Sequence, residues 1–184
     1  MSLESGDDTK LVLLDSGLDN KDNLNDENIV YYIITNDKTF NLTENAIMMS
    51  ELAKTALNGD TSTREIRISN VKSHIMAIIV KYLNYHCENP VPENNTPDKL
   101  RTNNFSENIK CEWDVNFIEN DVMSNPETAK QNLYDLINAA NYMCIESLLN
   151  LSITKIATMI SNKPLAEIKN ILDTNVSYKG TNPA

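Results

Sequence analysis

The chain has 184 residues, 23% of them charged, and a net charge of −10, which fits one large domain or one domain with arms. Because acidic residues outnumber basic ones 26 to 16, the composition argues against non-specific binding to nucleic acid or to an anionic membrane. No apolar run approaches the roughly 20 residues that a membrane-spanning helix needs, and three widely spaced cysteines indicate free thiols in the cytoplasm or nucleus.

The first 28 residues differ in composition from the rest of the chain. They contain eight acidic and two basic residues, a net charge of −6, and no aromatic residue. A segment of this composition buries too little apolar area to offset the entropy lost on ordering. We therefore predict that residues 1–28 form a mobile acidic arm, although the run Leu11–Leu14 could add a strand to a sheet edge.

Residues 29–69 predict three strands and a short helix. The runs 29–35 and 39–42 are rich in β-branched and aromatic residues and flank a turn pair, which is typical of a hairpin. Ser50 is placed to cap a short helix. Alternation of polar and apolar residues over 65–69 predicts the third strand.

Four helices are predicted in the rest of the chain. Apolar residues at steps of three and four predict a helix over 71–88, which the following prolines end. The proline- and asparagine-rich stretch 89–110 predicts a surface loop. A second helix starts near Pro126, a third covers 145–161, and the last covers 164–172.

The predicted helix over 145–161 carries more apolar surface than one contact requires. On a wheel at about 100° per residue, its apolar side chains cover an arc of roughly 180°. A domain with such a surplus on two adjacent helices usually covers it with a partner. Burial of both faces within the domain itself is the alternative, and periodicity alone favours neither.

The sequence predicts no catalytic site, no cofactor site and no metal site. Only four glycines occur, and none belongs to a phosphate-binding loop or to a nucleophile elbow. His74 and His86 are separated by more than three turns of one predicted helix, so they cannot share a metal ion, and nothing completes a site around His86 and Cys87. We therefore predict a protein that is not an enzyme.

Two blocks of sequence carry an ordered set of motifs. The first, over 70–93, reads NVKSHIMAIIVKYLNYHCENPVPE. The second, over 112–160, contains the pair Trp113-Asp114, then Phe117, and then the Ala-Ala-Asn-Tyr run 139–142. Each motif alone is weak. Their order and spacing from about Ile29 to Leu172 resemble the S-phase kinase-associated (Skp) family, the F-box-binding adaptors of SCF ubiquitin ligases.

The resemblance implies an α+β chain with a BTB/POZ fold. In this fold a small three-stranded sheet is covered by helices, and in the Skp family C-terminal helices extend it. The implied domains are the arm over 1–28, a BTB/POZ domain over 29–142 with its loop 89–110, a helical extension for F-box binding over 143–173, and a polar tail over 174–184.

The resemblance also implies a function and its site residues. The chain is expected to be a non-catalytic adaptor that bridges a cullin to F-box substrate receptors for ubiquitin-dependent protein degradation. We expect it in the cytoplasm and nucleus, with no nucleic-acid or membrane partner. Formation of a homodimer by the chain without a partner stays as an alternative. The cullin is expected at Asn141 and Tyr142. The F-box is expected at apolar positions of the C-terminal helices: Leu148, Leu149, Ile153, Ile156, Ile160 and Ile168.

The chain departs from the Skp family at three places. The acidic insertion before the third strand is shortened to 58–64, the turn before the last helix reads Lys163-Pro164-Leu165, and 174–184 replaces a tryptophan-bearing helical tail. The shorter end keeps an elongin C-like BTB adaptor of a cullin ligase or elongin complex as an alternative, and a self-assembling BTB module is a further one. The roughly forty residues after the Ala-Ala-Asn run favour the F-box adaptor.

Overall fold

A computed structural model of the chain describes residues 30–59 and 64–173. The predicted acidic arm, including Leu11–Leu14, and the predicted polar tail lie outside these residues. No helix in the described part of the chain is long and apolar enough to cross a membrane.

One sheet of three strands lies at the start of the described chain. The strands are β1 (Val30–Ile34), β2 (Thr39–Thr43) and β3 (Glu65–Arg67), in the order β2-β1-β3. The predicted hairpin is confirmed, because β1 pairs antiparallel to β2, with Ile33 opposite Phe40. The third strand is confirmed too, and it runs parallel to β1.

Eight α-helices are found in the described residues. They are α1 (Glu44–Ile47), α2 (Glu51–Gly59), α3 (Ser73–His86), α4 (Phe105–Asn108), α5 (Glu112–Asn116), α6 (Ala129–Tyr142), α7 (Glu146–Ile160) and α8 (Leu165–Leu172). A π-helical turn, Phe117–Val122, continues α5. The four predicted helices after residue 70 and α2 are thus present, with ends shifted by a few residues, and α1, α4 and α5 were not predicted.

The core lies between the sheet, α3 and α6. The buried side of α3 contributes Ile75, Met76, Ile79 and Leu83, each at most 1% exposed. Ile75, Ile79 and Leu83 belong to the stripe at steps of three and four that predicted the helix, and Met76 lies beside it. Leu133 and Leu136 of α6 are equally buried, so the two most regular apolar stripes of the sequence form the centre of the domain.

The stretch 89–110 is not simply a surface loop, contrary to the prediction. It includes α4, which packs against α7, and Phe105 and Ile109 are buried. Asn108 is buried as well, and its side chain bonds to the backbone of Arg101, Thr102 and Asn104. These bonds within the loop satisfy its polar groups, which lets a polar sequence pack against a helix.

Candidate protein-interaction site

The second half of α7 has polar residues facing the core and apolar residues facing outward. The buried residues of this half are Thr154, Lys155 and Thr158. The more accessible ones are Ile153, which is 47% exposed, and Ile156, Ala157, Met159 and Ile160, which are half-buried. Of these, Ile156 and Met159 also pack against the core with part of their surface. Burial of apolar side chains stabilises the folded state, whereas burial of polar side chains costs free energy unless they are hydrogen-bonded. A helix with this inverted arrangement is therefore expected to cover its outer face with a partner.

Local bonds satisfy the buried polar groups of α7. The hydroxyl of Thr154 donates to the carbonyl of Asn150 at 2.8 Å, as that of Thr158 does to Lys155. Lys155 Nζ donates to Glu119 Oε1 at 2.5 Å and lies 4.9 Å from the centre of the Phe105 ring. Because Glu119 lies in the π-helical turn and Phe105 in α4, Lys155 ties both elements to the inner side of α7.

One residue of the predicted F-box set does not lie on this outer face. Leu148 is fully buried, together with Leu151 one turn further on, and both belong to the core of the domain. The prediction for Leu148 is corrected accordingly, because a side chain without accessible area makes no contact with a partner. Leu149 is half-buried and packs against the core with part of its surface.

The short helix α8 adds to the outer apolar surface. It packs against α7 and has no buried residue. Leu165 is 69% exposed and Leu172 45%, while Ile168 of the predicted set is half-buried. We name the outer residues Leu149, Ile153, Ile156 and Ile160 of α7, with Leu165, Ile168 and Leu172 of α8, the C-terminal apolar face.

Side chains of α6 hold the end of α8 in place. The ammonium group of Lys130 donates to the carbonyls of Asn170 and Asp173, and the Tyr134 hydroxyl donates to that of Ile171 at 3.2 Å. Burial raises the pKa of the Tyr134 phenol. These donors satisfy carbonyls that the last turn of a helix leaves free.

Replacing Lys130 with methionine is expected to loosen α8 while leaving α7 intact. The change removes two charge-assisted bonds at the helix end, so amide hydrogen exchange in 167–172 is expected to accelerate about tenfold. Lys81→Met is the matched control, because it removes an exposed lysine that pairs with Asp121 elsewhere. Equal exchange of α8 in the two variants would show that Lys130 does not hold the helix.

The predicted cullin residues lie at the end of α6, and the start of α2 fixes their position. The Ser50 hydroxyl donates to the carbonyl of Met143 at 2.6 Å, and the Glu51 amide donates to that of Cys144 at 3.4 Å. Cys144 has φ 52, a left-handed conformation that ends the helix sharply. Asn141 and Tyr142 are the last residues of α6. Their position is therefore fixed by the bonds between the start of α2 and the turn that follows α6.

Asn141 and Tyr142 line two different cavities. Tyr142 is 41% exposed and lines a cavity of about 290 Å³ between α3 and α6, where Lys72 and Asp135 form an ion pair at 2.7 Å. Asn141 is exposed and lines a groove of about 750 Å³. This groove, which we call the α2–α7 groove, is formed by the starts of α2 and α7, the end of α6 and the loop 91–98.

A buried polar network holds the wall of the α2–α7 groove. His86 Nε2 lies 2.7 Å from Asp114 Oδ1, and Asn95 Nδ2 donates to Asp114 Oδ2 at 2.5 Å. The other nitrogen of His86 lies 2.8 Å from the carbonyl of Asn89, and Asn95 Oδ1 accepts from the Cys111 amide at 2.8 Å. His86 thus connects the start of the loop 89–110, and Asn95 its end, to the carboxylate of Asp114, which has no exposed area.

Aromatic rings surround this network on the side of the core. The Trp113 indole stacks on Tyr85, with centroids 3.8 Å apart, and lies edge-on to His86 at 5.4 Å. Tyr82 is fully buried, and burial raises the pKa of its phenol, so it stays protonated. The Trp113-Asp114 pair of the sequence is therefore a structural unit, in which the indole covers the imidazole that the carboxylate binds.

A small sheet covered by helices and continued by α7 and α8 defines this chain as a BTB/POZ protein with a helical extension, and the family description "Skp1 family, tetramerisation domain" matches residues 32–88. The S-phase kinase-associated protein 1 homolog of Tetrahymena thermophila is 34% identical over 126 residues, 68% of this chain and 70% of that protein. The Skp1-related protein of Caenorhabditis elegans is 27% identical over 142 residues (73% and 74%). SKP1-like protein 17 of Arabidopsis thaliana is 25% identical over 144 residues (78% and 82%). The chain belongs to the Skp1 family.

Sequence reasoning missed two parts of the site. The network partners Asn95 and Asp114 are 19 residues apart, and no periodic pattern links them. The α2–α7 groove joins segments from Met49 to Asn150, so only the fold brings its walls together. The one available signal was the Trp113-Asp114 pair, because a carboxylate that is buried beside a half-buried aromatic residue needs a polar partner.

Proposed function

We propose that this chain is a non-catalytic adaptor of an SCF-type E3 ubiquitin ligase that joins a cullin to F-box substrate receptors. The observation that carries the proposal is the inverted burial on α7, where Thr154, Lys155 and Thr158 face the core and Ile153 faces solvent. Membership of the Skp1 family supports the choice of partners. The adaptor acts in the cytoplasm and nucleus and serves ubiquitin-dependent degradation.

The proposed adaptor makes no covalent bond itself. It holds a substrate receptor at a fixed place on the cullin, so that a ubiquitin-loaded enzyme and a lysine of the target meet at high effective concentration. The C-terminal apolar face binds the F-box, because interface cores are apolar and exclude water. The end of α6, with Asn141 and Tyr142, binds the cullin.

Cullin binding is tested by replacing Tyr142 with lysine. The aromatic ring is lost and a charge is placed in the proposed contact, so we expect cullin affinity to fall by about 30-fold or more while F-box affinity stays within about twofold. Both affinities are measured by titration calorimetry with purified cullin N-terminal and F-box domains. Loss of both would indicate misfolding rather than a lost contact.

Tyr32→Lys is the matched control for this experiment. Tyr32 is 42% exposed and Tyr142 41%, and Tyr32 lies on β1 and lines neither the α2–α7 groove nor the cavity at Tyr142. The control variant is expected to bind the cullin as the unchanged chain does. If the unchanged chain binds neither domain and runs as a homodimer in light scattering, it is a self-assembling BTB module and the adaptor proposal is wrong.

A further inference from the structure

The α2–α7 groove has an apolar floor beneath an acidic rim. Its apolar lining includes Met49, Val91, Ile145 and Leu149, of which Ile145 is buried and the others are half-buried. Three acidic residues, Glu51, Asp98 and Glu146, line it too, whereas none of the described lining residues is Lys, Arg or His. At about 750 Å³ it has the size of a site that takes several side chains.

Two of the three carboxylates have no partner within residues 30–59 and 64–173. Glu51 forms an ion pair with Lys54 at 2.5 Å, but neither Asp98 nor Glu146 takes part in an ion pair or a side-chain hydrogen bond among the described residues. The rim therefore offers uncompensated negative charge above an apolar floor. A basic side chain with an apolar neighbour complements both features at once.

Hydrogen bonds within the domain hold both walls of the groove. On one wall, Asn95 is fixed by Asp114 and by the Cys111 amide. On the other wall, the turn after α6 is fixed by Ser50 and the start of α2. Asn94 and Cys144, one on each wall, have φ 53 and 52, so both walls end in sharp left-handed turns. A preformed groove loses little conformational entropy when a partner binds.

We propose that the α2–α7 groove receives a basic side chain of the cullin, together with an adjacent apolar residue, and selects cullins that carry this pair. The inference rests on the proposed function, which places the cullin at the end of α6. The cullin is the occupant because Asn141 lines the groove, which makes the groove continuous with the proposed cullin contact. Leu149 is the one residue of the C-terminal apolar face that lines the groove, and Ile153, Ile156 and Ile160 do not line it.

The test reverses the charge of the rim. The double variant Asp98→Lys/Glu146→Lys is compared with Glu88→Lys/Glu127→Lys, which changes the net charge equally at exposed acids outside the groove. Binding of a purified cullin N-terminal domain is titrated at low and at high salt. We expect the groove variant to bind roughly 10- to 100-fold more weakly at low salt and the difference to shrink at high salt, while the control changes less than about threefold.

A scan of the cullin identifies the proposed partner residue. Single Lys→Glu and Arg→Glu changes are made on the cullin domain, and we expect one that weakens binding to the unchanged chain and restores binding to the groove variant. Retained F-box affinity of the groove variant shows that it is folded. If the unchanged chain binds the cullin and Tyr142→Lys abolishes binding, but the groove and control variants bind alike, the groove inference is wrong and the adaptor function stands. If the unchanged chain binds no cullin, both are wrong.

Discussion

Replacing Asp114 with alanine is expected to lower the free energy of unfolding by about 3–5 kcal/mol. The Asp114 carboxylate has no exposed area. It accepts a hydrogen bond from the side chain of Asn95, and its other oxygen lies 2.7 Å from His86 Nε2. Its removal leaves two buried polar groups without partners, each of which costs about 1–3 kcal/mol. Since domains are stable by only about 5–15 kcal/mol, this is a large part of the total. Urea unfolding followed by circular dichroism measures the change.

Glu112→Ala is the matched control for Asp114. Glu112 lies two residues earlier in the same helix, and it is exposed. Its loss removes only a favourable charge near the start of α5, worth less than about 1 kcal/mol. We also expect faster amide exchange over 91–98 in the Asp114 variant, because Asn95 loses its anchor. If both variants unfold at the same urea concentration, the buried network does not stabilise the domain.

Replacing Ile153 with aspartate is expected to weaken F-box binding by about 2 kcal/mol or more, which is roughly 30-fold or more in affinity. Ile153 is 47% exposed in the free chain, so the new carboxylate is solvated until a partner covers it. Binding then buries an unpaired charge in an apolar contact. The affinity is measured by titrating a purified F-box domain into the folded variant.

Ile153 is a cleaner test position than Ile156. Ile156 is half-buried and packs against the core, so a charge there would disturb the domain as well as the interface. Asn138→Asp is the control, because it adds the same charge on α6, in the cavity lined by Tyr142. We expect the control to leave F-box affinity unchanged. Equal affinities for Ile153→Asp and the unchanged chain would exclude Ile153 from the F-box contact.

The two variants separate the fold from the interface. Asp114→Ala changes stability through a buried group that no partner reaches, and Ile153→Asp changes affinity through an exposed group that the fold does not need. We expect Asp114→Ala to lower the free energy of unfolding and to retain F-box affinity. We expect Ile153→Asp to lower F-box affinity and to retain the free energy of unfolding. The C-terminal apolar face would then be an interaction surface that is independent of the core.

Much of the fold could be predicted because its signals are local. The steps of three and four that fix α3 and the alternation that fixes β2 follow from the geometry of helix and strand, whatever the surroundings. The α+β architecture and the family followed from motifs that stand in order along the chain. The short helices α1, α4 and α5 were missed because four or five residues carry no periodicity.

The sequence by itself determined the family, the order of the elements and the surplus of apolar residues on the last helices. Only the tertiary structure decided which of those residues are available, because periodicity gives an angle around a helix but not the side on which its neighbours pack. Leu148 and Ile153 both belong to the apolar arc of α7, yet one is fully buried and the other is 47% exposed. The bond that fixes the end of α6 joins Ser50 to Met143 across 93 residues, and such a contact forms only when the whole domain folds.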